Sequence, residues 1–143
     1  GTTAPMIYKA LVEATAFGSK AIINRFLSEG IRIDSVRAVG GISQKSAFVM
    51  QTLSDVIGMP IAVASCDQAC AHGAAMFASV ASGVYSNAME AQEAMKSKDG
   101  VVYEPDMKRN EFYQNMYDAR YAALGRFASG DARSNALSKI SNK

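Results

Sequence analysis

Cysteine, tryptophan, histidine and proline are all scarce in this 143-residue chain, which has two cysteines, no tryptophan, one histidine and three prolines. Cys66 and Cys70 are too few to stabilise a small secreted fold, so reduced thiols in a cytoplasm are expected. The chain has no uninterrupted apolar run long enough for a membrane span and no signal-peptide pattern at its start. These absences favour a cytoplasmic protein without a membrane partner.

An excess of charge of one sign is missing as well. The 15 basic and 13 acidic residues leave a net charge of +2, which is too small to indicate a nucleic-acid partner. Tyr113, Tyr117 and Tyr121 have no basic patch beside them and are expected to form the core and rim of a helix. The composition, 49% hydrophobic and 20% charged residues, is typical of one soluble globular domain.

The few metal-ligating side chains do not form a ligand set. Cys66, Cys70 and His72 lack a fourth ligand, and the last two would point about 200° apart around a helix. The same geometry argues against a cysteine nucleophile with His72 as its base. We therefore predict no metal site and no catalytic residue among them.

The stretch around Gly40 and Gly41 organises the chain. Val36–Val39 has the composition of a short strand, and the apolar spacing from about Lys45 onward predicts a helix. A strand, a glycine turn and a helix N-terminus in this order are typical of nucleotide sites, where glycine lets a ligand approach the backbone. An ordinary tight turn explains the same glycine pair, and on this motif alone it is the better explanation.

The remaining elements follow from capping and periodicity. Pro5 and Gly30 mark the first turn and the end of a first helix, and Gly58 ends the helix after the turn. Ile61–Ala64 is predicted to be a buried parallel strand. Four further segments complete the prediction: a helix from Ala69 to Ala81 capped by Ser65 or Asp67, a short helix from Asn87 to Met95, an extended run from Val101 to Pro105, and a last helix from about Asp106.

The same helical periodicity predicts which side chains are buried. An apolar stripe of the first helix is expected to face the core, with its charged side chains solvated. The very small side chains between Ala69 and Ala81 favour near-backbone contact with the sheet or another helix. The stripe comprises Ile7, Leu11, Ala14, Phe17, Ala21 and Phe26; the solvated residues are Lys9, Glu13, Lys20 and Arg25; the buried side of the last helix comprises Phe112, Tyr113, Met116, Tyr117, Leu124 and Phe127.

Two runs, in this order and spacing, resemble the C-terminal domain of the FGGY carbohydrate kinases. They are Gly40-Gly41-x-x-x-Lys45 and Gln68-Ala69-Cys70-Ala71-x-Gly73-Ala74-Ala75-Met76-Phe77. The resemblance extends from about Thr3 to about Phe127, and within the family it is strongest to the enzymes that phosphorylate L-ribulose. His72 departs from the family pattern, in which leucine is expected at this position.

The resemblance implies an α/β fold that is part of an actin-like, ribonuclease-H-like ATPase domain. The elements predicted above give an α-β-α-β-α core with two short parallel strands, followed by C-terminal helices. Residues 1–129 would be the latter part of the nucleotide-binding domain, without its first three strands, and residues 130–143 a disordered tail. The family's sugar-binding first domain has no counterpart in these residues, so we expect the chain to be a fragment.

The resemblance also implies a reaction. In this family a carboxylate deprotonates a sugar hydroxyl, which attacks the γ-phosphate of ATP bound with Mg²⁺. The catalytic aspartate and the main phosphate loop would precede Gly1, so no catalytic residue is assigned and the chain alone is expected to be inactive. Asp34, Asp55 and Asp67 are interpreted as loop, helix-surface and capping residues. ATP and Mg²⁺ are the expected cofactors of the parent enzyme, and a small-molecule sugar is its expected substrate.

The nucleoside end of the ATP site is what the resemblance assigns to this chain. Gly40 and Gly41 would let adenine and ribose lie against the backbone. Ser46 would hydrogen-bond the base, and Lys45 would face the ribose or the phosphates. Each also has a plain structural explanation, Lys45 as a solvated lysine of the first helical turn and Ser46 as a helix N-terminal hydroxyl. Both explanations stay open for both residues.

A different class of function explains the same residues. If Gly40–Gly41 is only a turn, the chain is a helix-rich interaction or assembly module with no nucleotide site. Under the family fold, the strand Val36–Val39 would lack its neighbour and leave an unpaired edge beside apolar helix faces. We therefore expect a homo-oligomer, most simply a two-fold dimer.

Overall fold

A computed structural model describes residues 1–66 and 68–128. The fold is α/β, and none of the helices in this part of the chain is long and apolar enough to cross a bilayer. The predicted tail 130–143 and the candidate cap Asp67 lie outside the described residues. In chain order the elements are α1 (Ala4–Ser28), β1 (Val36–Ala38), α2 (Gly41–Lys45), α3 (Ala47–Ile57), β2 (Ile61–Ala64), α4 (Ala69–Ala81), α5 (Ala88–Met95), β3 (Asp99–Tyr103), α6 (Met107–Met116), a π-helical turn (Tyr117–Tyr121) and α7 (Ala122–Ala128).

The sheet has the order β1-β2-β3 and mixes two strand directions. β1 and β2 are parallel, with Val36 opposite Ile61, as expected for strands joined by a helical crossover. β3 is antiparallel to β2, with Tyr103 opposite Ile61. The α/β class and the parallel pair are confirmed. The antiparallel strand adds to the prediction, because a short extended run in the sequence does not show which strand it will join.

α3 lies at the centre of the core, between the helical layer and the sheet. Its Val56 is fully buried against α1 and α6, and its Met50 faces the sheet. α3 therefore holds the sheet against the other helices. The first core cluster consists of Ala16, Phe17, Val56 and Tyr113, and the second consists of Met50, Ile61 and Val63.

α1 has the predicted bounds but not the predicted burial. Thr3 is its N-cap and Gly30 follows its end with φ +79°. In the predicted buried stripe, however, Ile7, Leu11 and Phe26 are 53%, 64% and 46% exposed, so that part of the prediction is wrong. The buried residues of this 25-residue helix lie in its middle, where it packs on α3. Helical periodicity shows which side chains share one face of α1. It does not show how much of that face another element will cover.

Two charged side chains that were expected at the surface are buried. Lys20 is 5% exposed, and its Nζ donates a hydrogen bond to the Val56 carbonyl oxygen at 2.7 Å. Asp55 is 1% exposed and accepts hydrogen bonds from the Asp106 N–H at 2.9 Å and from the Arg109 guanidinium at 3.3 Å. The partners lie 36 to 54 positions away along the chain, so local periodicity does not reveal them.

α4 matches its prediction in extent but only partly in its surroundings. It is preceded by Gln68 as its N-cap rather than by Ser65. Within the described residues, no residue of α4 is buried. Apart from the adjoining backbone, no atom of the described residues lies within 4 Å of a Cβ built on Gly73. The predicted close contact with another helix is made by α5, whereas close packing at Gly73 is not observed within these residues. α4 packs chiefly on α5, where His72 Nε2 meets the Met95 carbonyl oxygen.

The caps of the later helices are as predicted, but the buried side of the last one is only partly so. Asn87 caps α5 and Asp106 caps α6 through their side chains. Tyr113 of α6 is buried, whereas Phe112 and Leu124 are 61% and 65% exposed. α6 packs on α3 along one narrow face, and the aromatic residue next to that face remains in solvent.

Candidate functional site

The Gly40–Gly41 turn lies at the carboxyl end of β1. Because β1 and β2 are parallel, the segments that follow them, at Gly40 and at Ser65, leave the sheet at the same edge. The side-chain amide of Gln44 joins the two segments by donating to the Cys66 carbonyl oxygen at 3.2 Å. In open α/β sheets, ligands bind outside this edge.

Glycine is needed at the first position of the turn, and the space in front of the turn is open. Gly40 has φ +98° and ψ 171°, a backbone conformation that L side chains rarely adopt. Apart from the adjoining backbone, no atom of the described residues comes within 4 Å of a Cβ built on Gly40 or Gly41. A planar ligand therefore has room against this backbone, and a side chain at position 41 would occupy the same room.

Ser43 is a buried residue that forms a hydrogen bond back to the turn. It is 3% exposed, and its Oγ donates a hydrogen bond to the Gly40 carbonyl oxygen at 2.6 Å. Neither Ser43 nor Gln44 is among the site residues predicted from the sequence. A serine three residues after the turn glycine is a usable signal, because at that spacing a hydroxyl reaches back to a backbone carbonyl. Nothing local indicates the partner of Gln44, which lies 22 positions away.

Lys45 and Ser46 separate α2 from α3. Lys45 is exposed in the last turn of α2. Ser46 has φ −129° and ψ 90°, which interrupts the helix, and its Oγ accepts a hydrogen bond from the Val49 N–H at 3.4 Å. The helix-capping role of Ser46 is confirmed, and ligand contact by either residue stays a prediction. The helix predicted from about Lys45 is preceded by a separate short one that starts at Gly41.

Two small cavities flank the turn. One of about 240 Å³ lies beside α2 and the facing ends of β2 and β3, and Ser43 and Gln44 line it. The other, about 230 Å³, lies between the sheet and α4, where Val39 and Gly73 are among its lining residues. Neither lining includes a carboxylate from the described part of the chain. The arrangement therefore offers surfaces for binding rather than a recognisable general base.

The residues considered as metal ligands are separate in the structure. Cys66 is half-buried and Cys70 is exposed, both as free thiols. The His72 ring contacts the Met95 carbonyl oxygen. Across residues 1–66 and 68–128, no group of three histidine, cysteine, aspartate or glutamate residues is placed to hold a metal ion.

The sequence matches known proteins over most of its length. The sequence model of the FGGY family of carbohydrate kinases, C-terminal domain, matches residues 1–82. A ribulokinase of Vibrio parahaemolyticus is 46% identical over 125 residues, which make up 87% of this chain and 22% of that protein. A ribulokinase of Shouchella clausii is 38% identical over 121 residues, 82% of this chain and 22% of that protein. The chain thus spans about a fifth of the length of these relatives.

Solved structures show the same fold. A xylulose kinase of Lactobacillus acidophilus has a TM-score of 0.71 at 22% identity, over 90% of this chain and 26% of that one. A glycerol kinase of Plasmodium falciparum, solved with ADP, has a TM-score of 0.65 at 24% identity, over 88% of this chain and 26% of that one. The family match covers more than half of the 143 residues and includes the Gly40–Gly41 turn. The chain therefore belongs to the FGGY family of carbohydrate kinases.

Proposed function

We propose that this chain is the nucleoside-binding part of a kinase that transfers the γ-phosphate of ATP to a sugar hydroxyl, with L-ribulose as the substrate. The observation that supports it is the Gly40–Gly41 turn, which follows a parallel strand, has open space in front and lies inside the family match. L-ribulose is proposed from the similarity to two ribulokinases. Residues 1–129 would form this part of the nucleotide-binding domain, with 130–143 as a tail.

The site residues divide the nucleoside contacts between them. Gly40 and Gly41 have room for adenine and ribose against the backbone. Ser46 accepts a hydrogen bond from the Val49 N–H, which leaves its own O–H free to donate to the base. Lys45, exposed at the end of α2, would extend toward the ribose or the phosphates.

Binding and orientation of the nucleoside are the contribution proposed for this chain. In such a kinase, ATP supplies the phosphoryl group and Mg²⁺ neutralises the charge that develops on it. The proposal places the general base and the sugar pocket in the part of the enzyme that this chain, spanning 22% of its relatives, does not include. The chain alone is expected to bind ATP without sugar-dependent turnover, in a cytoplasmic setting.

Assembly is a second candidate function, favoured by exposed apolar surface. β1 is an edge strand of the sheet, and Val39 just beyond it is 61% exposed. On α1, Leu11 and Ile22 are 64% and 60% exposed. Strand edges and apolar patches of this kind favour association, so a homo-oligomer that joins them is proposed. Sedimentation velocity that shows a monomer at high micromolar concentration would contradict it.

Titration of the isotope-labelled chain with a non-hydrolysable ATP analogue separates the two functions. The kinase proposal predicts amide chemical-shift changes centred on Gly40, Gly41, Lys45 and Ser46. A pure assembly module predicts no such changes at millimolar ligand.

Gly41→Val is the matched test of the open space in front of the turn. The new side chain would occupy the space proposed for the nucleoside, and the backbone at this position does not require glycine. Gly125→Val is the control, because it adds the same side chain at another open helical position, on α7 and away from the turn. Binding should be lost in the first variant and kept in the second. Equal binding by both would contradict a nucleoside site at this turn.

A further inference from the structure

Ser43 is a buried polar residue at this edge of the sheet for which the proposed nucleoside contacts give no role. It is 3% exposed, and its Oγ lies 2.6 Å from the Gly40 carbonyl oxygen, at the short end of the range for such bonds. We propose that Ser43 is a positioning residue that holds the Gly40–Gly41 peptide in the orientation on which the nucleoside lies. This inference rests on the proposed function of the turn.

The glycine pair is restrained by α2, because the carbonyl oxygen of its N-cap Gly40 accepts the first backbone hydrogen bond of the helix. Ser43 adds a further hydrogen bond to the same oxygen. Glycine adopts positive and negative φ about equally readily, so two consecutive glycines have many accessible conformations. Gly40 is nevertheless at φ +98° and ψ 171°. Because a trans peptide is planar, one hydrogen bond to the Gly40 carbonyl oxygen orients the whole unit that links it to Gly41. A backbone surface that is already ordered binds a ligand without the entropy loss of ordering it.

A second hydrogen bond holds α2 from its other side. The Gln44 side chain, which is exposed, donates to the Cys66 carbonyl oxygen at 3.2 Å. Ser43 and Gln44 are neighbours, so α2 is tied both to the turn after β1 and to the segment after β2. Ser43 restrains the turn itself from a buried position, where a hydrogen bond is stronger than in solvent. We therefore assign the larger positioning effect to Ser43.

Ser43→Ala removes the hydroxyl and leaves the rest of α2 in place. Its dissociation constant for the ATP analogue should rise about ten-fold, the size expected when one buried hydrogen bond is lost. The amide signal of Gly41 should shift in the absence of ligand, because the peptide plane is released. Ser43→Thr keeps a hydroxyl and should recover most of the affinity.

Ser79→Ala is the matched control for the loss of a hydroxyl. Ser79 Oγ also donates to the carbonyl oxygen three residues back, that of Met76, at the same 2.6 Å, but on α4. This variant should bind the analogue like the unmodified chain and keep the Gly41 signal unchanged. A weakening equal to that of Ser43→Ala would overturn the positioning role.

Each outcome of the titration decides a different claim. Binding by the unmodified chain with equal binding by Ser43→Ala overturns the inference and leaves the proposed function standing. No binding by the unmodified chain at millimolar analogue overturns both. If Ser43→Ala does not fold, the nearly isosteric Ser43→Cys, a weak donor, should bind several-fold more weakly. Unchanged affinity of a folded Ser43→Cys would overturn the inference.

Discussion

The helices α3 and α4 each lead away from the carboxyl edge of the parallel strands, yet they are opposite in burial. α3 buries six of its 11 residues, whereas the described part of the chain buries none of the 13 residues of α4. Both are rich in apolar residues, so apolar content alone does not explain the contrast. The difference teaches that a helix is buried by the surfaces brought against it, and those surfaces come from elsewhere in the chain.

Polar contacts attach α3 to the segments that surround it. Ser54 Oγ is 3.0 Å from the Met59 carbonyl oxygen and 2.8 Å from that of Tyr103 in β3. Asp55 links the helix to the start of α6 through Asp106. These bonds satisfy polar groups that would otherwise be costly to bury, and they attach two later elements to one helix.

Within the described residues, the polar contacts of α4 to another element are few and go to Met95 of α5, from His72 Nε2 to its carbonyl oxygen and from Ser79 Oγ to its sulfur at 3.7 Å. Most residues of α4 are alanine or glycine, with a methyl group or no side chain at all, so only a close backbone approach would cover them. The largest of its apolar side chains, Phe77, is 70% exposed. An open helix of this composition is expected to tolerate substitutions that α3 and its neighbours do not.

The largest effect is expected from breaking the polar attachment of α3. Asp55→Ala leaves the Asp106 N–H without its acceptor and removes one of the two carboxylates that pair with Arg109. The free energy of unfolding, measured in urea, should fall by about 3 kcal/mol. As a control, Glu93→Ala on α5 removes only an exposed ion pair with Lys96 and should change stability by less than about 0.5 kcal/mol. Equal losses of stability in the two variants would show that Asp55 stabilises the fold no more than an exposed ion pair does.

A pH-dependent effect of intermediate size is expected at Tyr113, which packs on α3. Burial and the hydrogen bond from its Oη to Glu13 raise the pKa of Tyr113 to about 12, from an ordinary 10.0. Between these pH values the folded protein keeps a proton that the unfolded chain releases. The stabilisation is therefore full below pH 10 and is lost as the pH rises through 12. Tyr113→Phe should flatten this decline in urea denaturation curves.

In the same pH range, the titration of Lys20 changes the stability in the opposite direction. Burial lowers its pKa from 10.5, an effect that Asp118 opposes, so stability rises with pH as this lysine loses its proton. The Tyr113→Phe variant and the unmodified chain both contain Lys20. Its contribution to the pH dependence of stability therefore cancels when the two are compared. Tyr8→Phe, which deletes a phenol that is mostly exposed, is the control and should leave the decline in place. A decline that persists unchanged in Tyr113→Phe would refute the assignment.

The smallest effect is expected on α4. Ala74→Leu adds a large side chain at an exposed position and should leave the melting temperature nearly unchanged. The matched substitution Ala16→Leu, at a fully buried position of α1, should lower the free energy of unfolding by about 2 kcal/mol through overpacking. A similar loss in both variants would mean that α4 is covered, and the contrast between the two helices would fail.

Local sequence signals predicted most element boundaries. Gly30 and Gly58 follow helices with positive φ, and Asn87 caps α5 as its spacing to Glu90 indicates. Such signals act within a few residues, so one sequence is enough to recognise them. The burial of Asp55 was not predictable in this way, because the Asp106 N–H and the Arg109 guanidinium that pair with it lie more than 50 positions away.

The candidate site was predictable in outline and not in detail. The strand, the Gly40–Gly41 turn and the capping hydroxyl of Ser46 follow from composition and spacing. The hydrogen bond from Ser43 to the turn and that from Gln44 to Cys66 were not anticipated. The first spans three residues, a spacing that a sequence can indicate, whereas the second exists only because β1 and β2 are neighbours in the sheet.

By itself, the sequence determined the order of helices and strands, the glycine turn and the family, because each depends on residue types at fixed short spacings. The tertiary structure decided that β3 joins the sheet, that only the middle of α1 is covered, and that Lys20 and Asp55 are buried. These outcomes depend on surfaces and hydrogen-bond partners that distant segments bring together. A periodic pattern describes one segment at a time, so it cannot specify what that segment will meet.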